Sequence, residues 1–569
     1  MTNRTRSLLN FALVIGIALL ANVLGNVAYT YFDLTEDKRF TLTEATRDLL
    51  DEVDDPVFVR VLLQGEFPAG FKRLQRSTRE MLEDFRSENG YIEYEFVDPN
   101  DGDPDERNER IAAMAKDGIV PTRLTVKGAD GQEERLIYPY AIFNYRDRTV
   151  VVDLLENEGV GNRQEEELNN SINQLEYKFA SAIKRISTGY RPNIAYLLGQ
   201  GELAEPQRRD LTKSLQAFYN VGTFVLDSAA VIPPAVELLI IAKPRARFSE
   251  MDKFKIDQYV MNGGKIIWMV DKLDVHLDSL QRNRGKFLPR EYDLNIDDLL
   301  FRYGVRLNSD LIEDLQSSRI QLVVGNQGGR PQFDLFRWYY HPIITPSNNS
   351  PITRGLDQVN AYFAGTIDTT VQTKTNLKKT VVLSSSPNSR VRFWPMELNF
   401  EVLRYEPEVD KFNKQNVPIG VLLEGEFPSL FTNRVSAEMQ QGLAAAGQEF
   451  RTLSQPTKQL VIADGDFGKN PYNPQADQTL PLGFNRYENY LFDNKDFLLN
   501  AVEYMQSGGG FVDARGKEVK LRLLNTAKAQ AEETKWQLVN VAVPLGLLLL
   551  FGLIFTLVRR RRYGRTQMR

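Results

Sequence analysis

The chain has 569 residues, 42% hydrophobic and 25% charged, with no cysteine and only two histidines, His276 and His341. That is enough for roughly three to four domains of ordinary folded composition. It excludes a disulfide framework, a thiol nucleophile, a thiolate zinc site and an iron–sulfur cluster. A histidine-rich metal centre is nearly excluded too, and no cofactor is expected.

The net charge of −5 conceals an uneven distribution. Arg4, Arg6, Arg559, Arg560, Arg561, Arg562, Arg565 and Arg569 crowd the two ends with no acid among them. Between them lie 62 Lys and Arg against 75 Asp and Glu, or −13. An acidic body with basic tips argues against nucleic acid as a partner, because phosphates need clustered cations.

Residues 8–29 (LLNFALVIGIALLANVLGNVAY) carry no charge. As a helix they extend about 33 Å, enough for a ~30 Å hydrocarbon core. A cleaved signal peptide also begins with a basic tip and an apolar run. No A-x-A site follows, so the expectation is an uncleaved anchor over 1–30.

Residues 539–558 (VNVAVPLGLLLLFGLIFTLV) form a second uncharged run, followed at once by four arginines, with Trp536 just before it. Arginine behind an apolar span and an aromatic at its other edge are membrane signals, and the span is expected over 536–560. Pro544 falls in its first turns, where neighbouring helices can absorb the lost hydrogen bond. The positive-inside rule then puts both termini in the cytoplasm and the intervening chain in the periplasm of a bacterial inner membrane, with 561–569 a basic cytoplasmic tail.

The body opens with a short helix expected over 40–53, capped by Thr41 and Thr43. A strand over 57–63, a helix over 71–89 ending at Gly90, and a strand over 91–97 make a βαβ unit. Its pattern is closest to a small thioredoxin-like α/β domain, unable to do redox work without cysteine. Two hairpins follow, around GADGQ and around residues 146–148. One long helix is expected over 164–186. Gly189 and Pro192 then mark a boundary, giving a small α/β domain over 31–188.

A second α/β pattern occupies 189–506. Buried-strand runs at 193–198, 236–242 and 265–270, a strand over 222–226 and helices over 208–219 and 250–261 imply a parallel sheet covered on both faces. A helix end at 299–304, strands at 319–324, 381–384, 420–423 and 459–463, and a closing helix over 492–505 complete it. A polar tether spans 507–535. One echo stands out: VLLQGEFPAGF at 61–71 and VLLEGEFPSLF at 421–431 agree at eight of eleven positions, which reads as one strand–turn solution used twice.

Catalytic and nucleotide motifs are missing. There is no G-x-x-x-x-G-K-[ST], H-E-x-x-H or G-x-S-x-G, which argues against a P-loop, a zinc protease and a serine hydrolase elbow. The acidic loop at 98–106 fails the EF-hand pattern, since Gly102 stands at the fifth ligand position and Asp103 replaces the sixth-position glycine. It reads as a solvated loop. Gly199, Gln200, Gly201 and Glu202 follow a buried strand, where α/β sheets form ligand crevices. Glu202 is either a ligand contact or base there, or an acid favouring the next helix N-terminus. Both histidines read as structural.

The collinear strings RFTLTEAT (39–46), NIAYLLGQGE (193–202), VELLIIAKP (236–244), DQYVMNGGKIIWMVD (257–271), VIADGDFGKNP (461–471) and FDNKDFLLNAVEYM (492–505), with KWQLVN and its span, resemble the GldG family. That family comprises gliding-motility-associated auxiliary components of ABC transporters in Bacteroidetes. The resemblance implies a glutamine-amidotransferase-like (flavodoxin/Rossmann-like) α/β domain, of the kind also present in intraflagellar-transport proteins. Relatives often read G-H-G-E where Gln200 stands here, so histidine chemistry does not carry over. Without a cysteine nucleophile the fold is a scaffold and not an enzyme.

The implied protein is a two-span membrane subunit working with a separate permease subunit and a cytoplasmic ATPase subunit. Gly16 and Gly25 in the first span and Gly546 and Gly552 in the second are candidate contacts with such a permease. The alternatives are a periplasmic ligand- or glycan-binding protein and a hydrolase built on scattered carboxylates.

Overall fold

The computed structural model describes residues 41–507, except 66, 117–118, 120, 129–130, 156–163, 328–329, 348–349 and 355, and the helix Glu533–Tyr563. Of the N-terminal run it describes only Leu13 and Gly16. The expected first span over 8–29 and most of the tether therefore lie outside the described residues.

Strands Val57–Val61 and Ile92–Phe96 pair in parallel, joined by the helix Ala69–Glu88. Phe71, Leu74, Thr78, Leu82 and Phe85, spaced three and four apart, form that helix's buried stripe. The helix ends on Asn89 in an extended conformation, not on Gly90 as expected. The Asn89 side chain explains this: its Nδ2 donates to the carbonyls of Leu50 and Val53, at 2.6 and 3.1 Å. Tyr140–Tyr145 then pairs antiparallel with Val57–Val61, and Arg148–Asp153 antiparallel with Tyr140–Tyr145. The result is a mixed four-stranded sheet whose third strand alone opposes the others.

The single helix expected over 164–186 is two, Gln164–Asn173 and Leu175–Thr188. Gln174 breaks it with ψ near 0°. The first half is rich in Asn and Ser, whose side chains compete for backbone groups. The second half carries the burial: Phe179 lies 5.3 Å from Phe143 and 6.1 Å from Phe85. Glu176 accepts from the Thr43 amide and from the hydroxyls of Thr43 and Thr46, at 2.7 to 2.9 Å. The helix Glu44–Asp51 is thus held at its start by a tertiary carboxylate, with Thr43 making no side-chain cap.

The larger sheet has seven strands, in the order Lys378–Ser384, Pro418–Gly425, Thr457–Ile462, Lys265–Met269, Leu238–Ala242, Asn193–Leu198, Asn220–Val225. The last five are mutually parallel. Pro418–Gly425 runs antiparallel to both neighbours, so the sheet is mixed at one edge. Alternate residues of each central strand enter different cores. Ile194, Tyr196, Leu238 and Ile240 pack on one face, and Ala195, Leu197, Leu239 and Ile241 on the other. Burial on both faces is why these strands read as unbroken apolar runs.

Between Lys265–Met269 and Lys378–Ser384 the chain builds an insert around Trp338, including the hairpin Ser317–Gln327/Arg330–Ile344, and Met396 and Leu398 from beyond Lys378–Ser384 pack into the same core. Both sheets belong to one compact unit. The helix Glu533–Tyr563 belongs to the other; within it Val539–Arg561, of mean hydropathy 2.7, is long and apolar enough to cross a membrane, and Pro544 lies inside.

Candidate functional site

From Asn193–Leu198 the chain goes to Asn220–Val225 on one side, then returns to Leu238–Ala242 on the other. The loops leaving Leu198 and Ala242 therefore meet at the sheet's topological switch point, the place where α/β folds commonly bind ligands. Gly199, Gln200, Gly201 and Glu202 form the first of these loops, with φ of +128° at Gly199 and +77° at Gly201. Glu202 Oε2 accepts from the amides of Gly199 and Gln200 at 3.0 and 2.9 Å, stapling its own turn. Arg245 donates Nε to the Gly201 carbonyl at 2.6 Å, and its amide to that of Gln200 at 2.8 Å. Burial pushes the Glu202 carboxyl up, against the pull of those amides. Oε1 of Gln200 and Oε1 of Glu202 are buried without a partner.

Three adjacent strands then deliver charge to the same edge. Lys243 follows Leu238–Ala242, Asp271 follows Lys265–Met269, and Asp464 and Asp466 follow Thr457–Ile462. Lys243 Nζ lies 2.8 Å from Asp271 Oδ2 and 2.5 Å from Asp466 Oδ2, with its side chain 3% exposed. Lys469 reaches Asp466 Oδ1 at 3.1 Å. Asp271 accepts the Gly465 amide at 2.6 Å, and Asp464 those of Asp466 and Tyr362 at 2.8 and 2.7 Å.

Burial alone would lower the Lys243 pKa, but its two carboxylates override this and hold it raised and charged. Asp466 sits below its usual range because Lys243 and Lys469 outweigh its burial. Asp464, buried and facing the charges of Asp271 and Asp466, is pushed well up.

Beside this cluster lies a cavity of about 400 Å³, lined among others by His276, His341, Tyr362, Asp466 and Lys469. The only two histidines in the chain thus meet at one cavity. His341, on the strand Arg330–Ile344, is 5% exposed, with its ring centroid 4.9 Å from those of both Tyr362 and Phe363. Its Nε2 is buried without a partner. Burial pulls its pKa down to about 3, and burial with Lys243 also lowers that of His276. Both imidazoles are therefore neutral at neutral pH.

The 199–202 loop and the ion cluster share the sheet's carboxyl edge, yet none of the four loop residues lines this cavity. Sequence reasoning assigns nothing to Lys243, Asp271, Asp464 or Asp466. The signal was a charged residue closing each apolar strand run, as in LLIIAK, IIWMVD and LVIAD.

Among the described residues no three His, Asp or Glu converge to hold a metal. In the loop at 98–106, Asp98 and Asp101 instead accept amides of Asn100 and Gly102, each at 2.9 Å. A β-carbon added at Gly16, Gly546 or Gly552 would meet open space, and Gly25 lies outside the described residues.

Residues 191–501, more than half of the chain, match the family described as an ABC-type uncharacterized transport system. The chain belongs to this ABC-type transport system family. Residues 36–144 match a further domain of unknown function (DUF7088). An uncharacterized protein of Borreliella burgdorferi is 19% identical, over 98% of this chain and 100% of its own length. Among solved structures, the mmIFT52 N-terminal domain matches with a TM-score of 0.30 and 15% identity, over 56% of this chain and 98% of that domain. Membership in the transport-system family makes this protein a transporter-associated component, and its C-terminal apolar helix points to membrane association.

Proposed function

We propose that the protein is a non-catalytic auxiliary subunit of an ABC transporter, held in a bacterial inner membrane by both ends. Its body lies in the periplasm, its termini in the cytoplasm, and separate permease and ATPase subunits complete the assembly. The family match over 191–501 carries this reading. The four arginines after residue 558 and the missing P-loop support it, since the chain must borrow its ATPase.

Strand order and direction support a thioredoxin-like fold for the small domain and an amidotransferase-like scaffold for the large one. The collinear strings shared with GldG support a place in gliding motility. Within this reading Gly199, Gln200, Gly201 and Glu202 form the ligand-facing lip at the switch point, supported by the unpartnered buried oxygens of Gln200 and Glu202.

Affinity purification from detergent-solubilised membranes tests the assembly. A polytopic permease and a P-loop ATPase should co-purify in fixed ratio. Recovery of the intact protein without either, from membranes that contain both, would overturn the reading.

A further inference from the structure

We propose that the cavity beside the ion cluster binds a small organic anion, a carboxylate or phosphate carried on a compact ring. This goes beyond the subunit reading and stands whether or not a permease binds. At about 400 Å³ the cavity lies within the range that holds small ligands.

Its charge is asymmetric once internal pairs are removed. Of the wall carboxylates, Asp466 is taken by Lys243 and Lys469. Asp278 remains, placed to accept a hydroxyl or amine of the ligand. Against it stand two guanidinium groups. Among the described residues, Arg319 has only a long contact with Glu488, at 3.9 Å. Arg486 donates to the Tyr487 hydroxyl at 2.8 Å and has no carboxylate partner among the described residues. Guanidinium matches carboxylate and phosphate through paired N–H donors, and such charge-assisted bonds are among the stronger ones.

The second observation is His341. The residue lines this cavity and is 5% exposed, and its buried Nε2 has no hydrogen-bond partner among the described residues, although buried polar atoms are nearly always satisfied. A ligand that displaces the ring slightly on entering the cavity would supply the missing hydrogen bond. Tyr362, Phe363 and Tyr487 also line the cavity and give it aromatic surface for the ligand body.

The test uses the full chain in detergent with phenyl phosphate, benzoate and the neutral benzyl alcohol, followed by equilibrium dialysis. At least one anion should bind saturably below about 10 mM, roughly tenfold more tightly than benzyl alcohol. Whichever anion wins distinguishes phosphate from carboxylate. Arg319→Gln and Arg486→Gln change exposed side chains, so the fold should survive, as circular dichroism would verify. Each should weaken the anion by about tenfold and leave benzyl alcohol unmoved. Arg60→Gln, on the other sheet, should change nothing. Absent saturable binding of either anion, equal binding of the alcohol, or indifference to both cavity arginines would overturn the proposal.

Discussion

Lys243 and His341 show two ways in which a buried polar side chain is tolerated. Lys243 keeps its charge because two carboxylates meet it, and removing the lysine would leave Asp271 and Asp466 without their shared cation in a poorly hydrated place. His341 has no counter-charge at hydrogen-bonding distance and stays neutral, with a pKa near 3. The sign of its pH dependence follows. The unfolded chain takes up a proton near pH 6.5 and the folded chain does not, so folding loses stability as pH falls from about 6.5 toward 3. The slope for one such proton is about 1.4 kcal/mol per pH unit. Asp464, pushed up by burial, changes stability in the opposite direction over part of that window, so wild type alone would not isolate the histidine. His341→Phe keeps the ring contacts and removes the proton. The difference in denaturant midpoint between wild type and this variant should shift steadily against wild type below pH 6.5. A pH-independent difference would show that His341 is not buried as described.

The echo between 61–71 and 421–431 shares a glycine turn but not its surroundings: the first strand ends at Val61 and the second runs to Gly425, and Phe71 lies in the helix Ala69–Glu88 whereas Phe431 lies in a turn. Each copy turns at a glycine of nearly the same φ, +134° at Gly65 and +133° at Gly425. Each then buries a phenylalanine six residues on, Phe71 and Phe431. Only glycine adopts such a φ without strain, and at Gly425 the Asn376 carbonyl stands 3.2 Å from where a β-carbon would be. Gly425→Ala should therefore cost about 1–3 kcal/mol, read as an earlier thermal transition of the full chain, while Gly90→Ala, which meets open space, should be nearly silent.

What the sequence made legible follows the same local logic. The strand Asn193–Leu198 and the helix Glu250–Met261 match their expected bounds, because an apolar run closed by Gly or opened by Ser announces itself. The hairpin Ser317–Gln327/Arg330–Ile344 was half read, since much of it faces solvent and no apolar alternation marks it. The break at Gln174 was missed because helical periodicity continues across it. The Lys243–Asp271–Asp466 cluster was hidden for a different reason: only strand order brings those three residues together, and strand order is not a local property.

The protein as a whole poses the question of what holds the assembly together. The helix Glu533–Tyr563 carries a single apolar stretch with no charge before its arginines, which offers no route for an ion and makes the span an anchor or a docking surface. Docking would use Gly546 and Gly552. Six residues apart, they do not repeat at the four-residue spacing of a tight helix pair, yet each leaves a gap where a neighbouring helix can approach closely. If the span docks on a permease, Gly546→Leu with Gly552→Leu should reduce co-purified permease several-fold, with the melting of the body unchanged. If it only anchors, the double variant should behave as wild type, and exchanging the span for an unrelated apolar helix should preserve both complex and phenotype. In that case the contacts must lie on the acidic body, and the reading of these glycines as contacts is wrong.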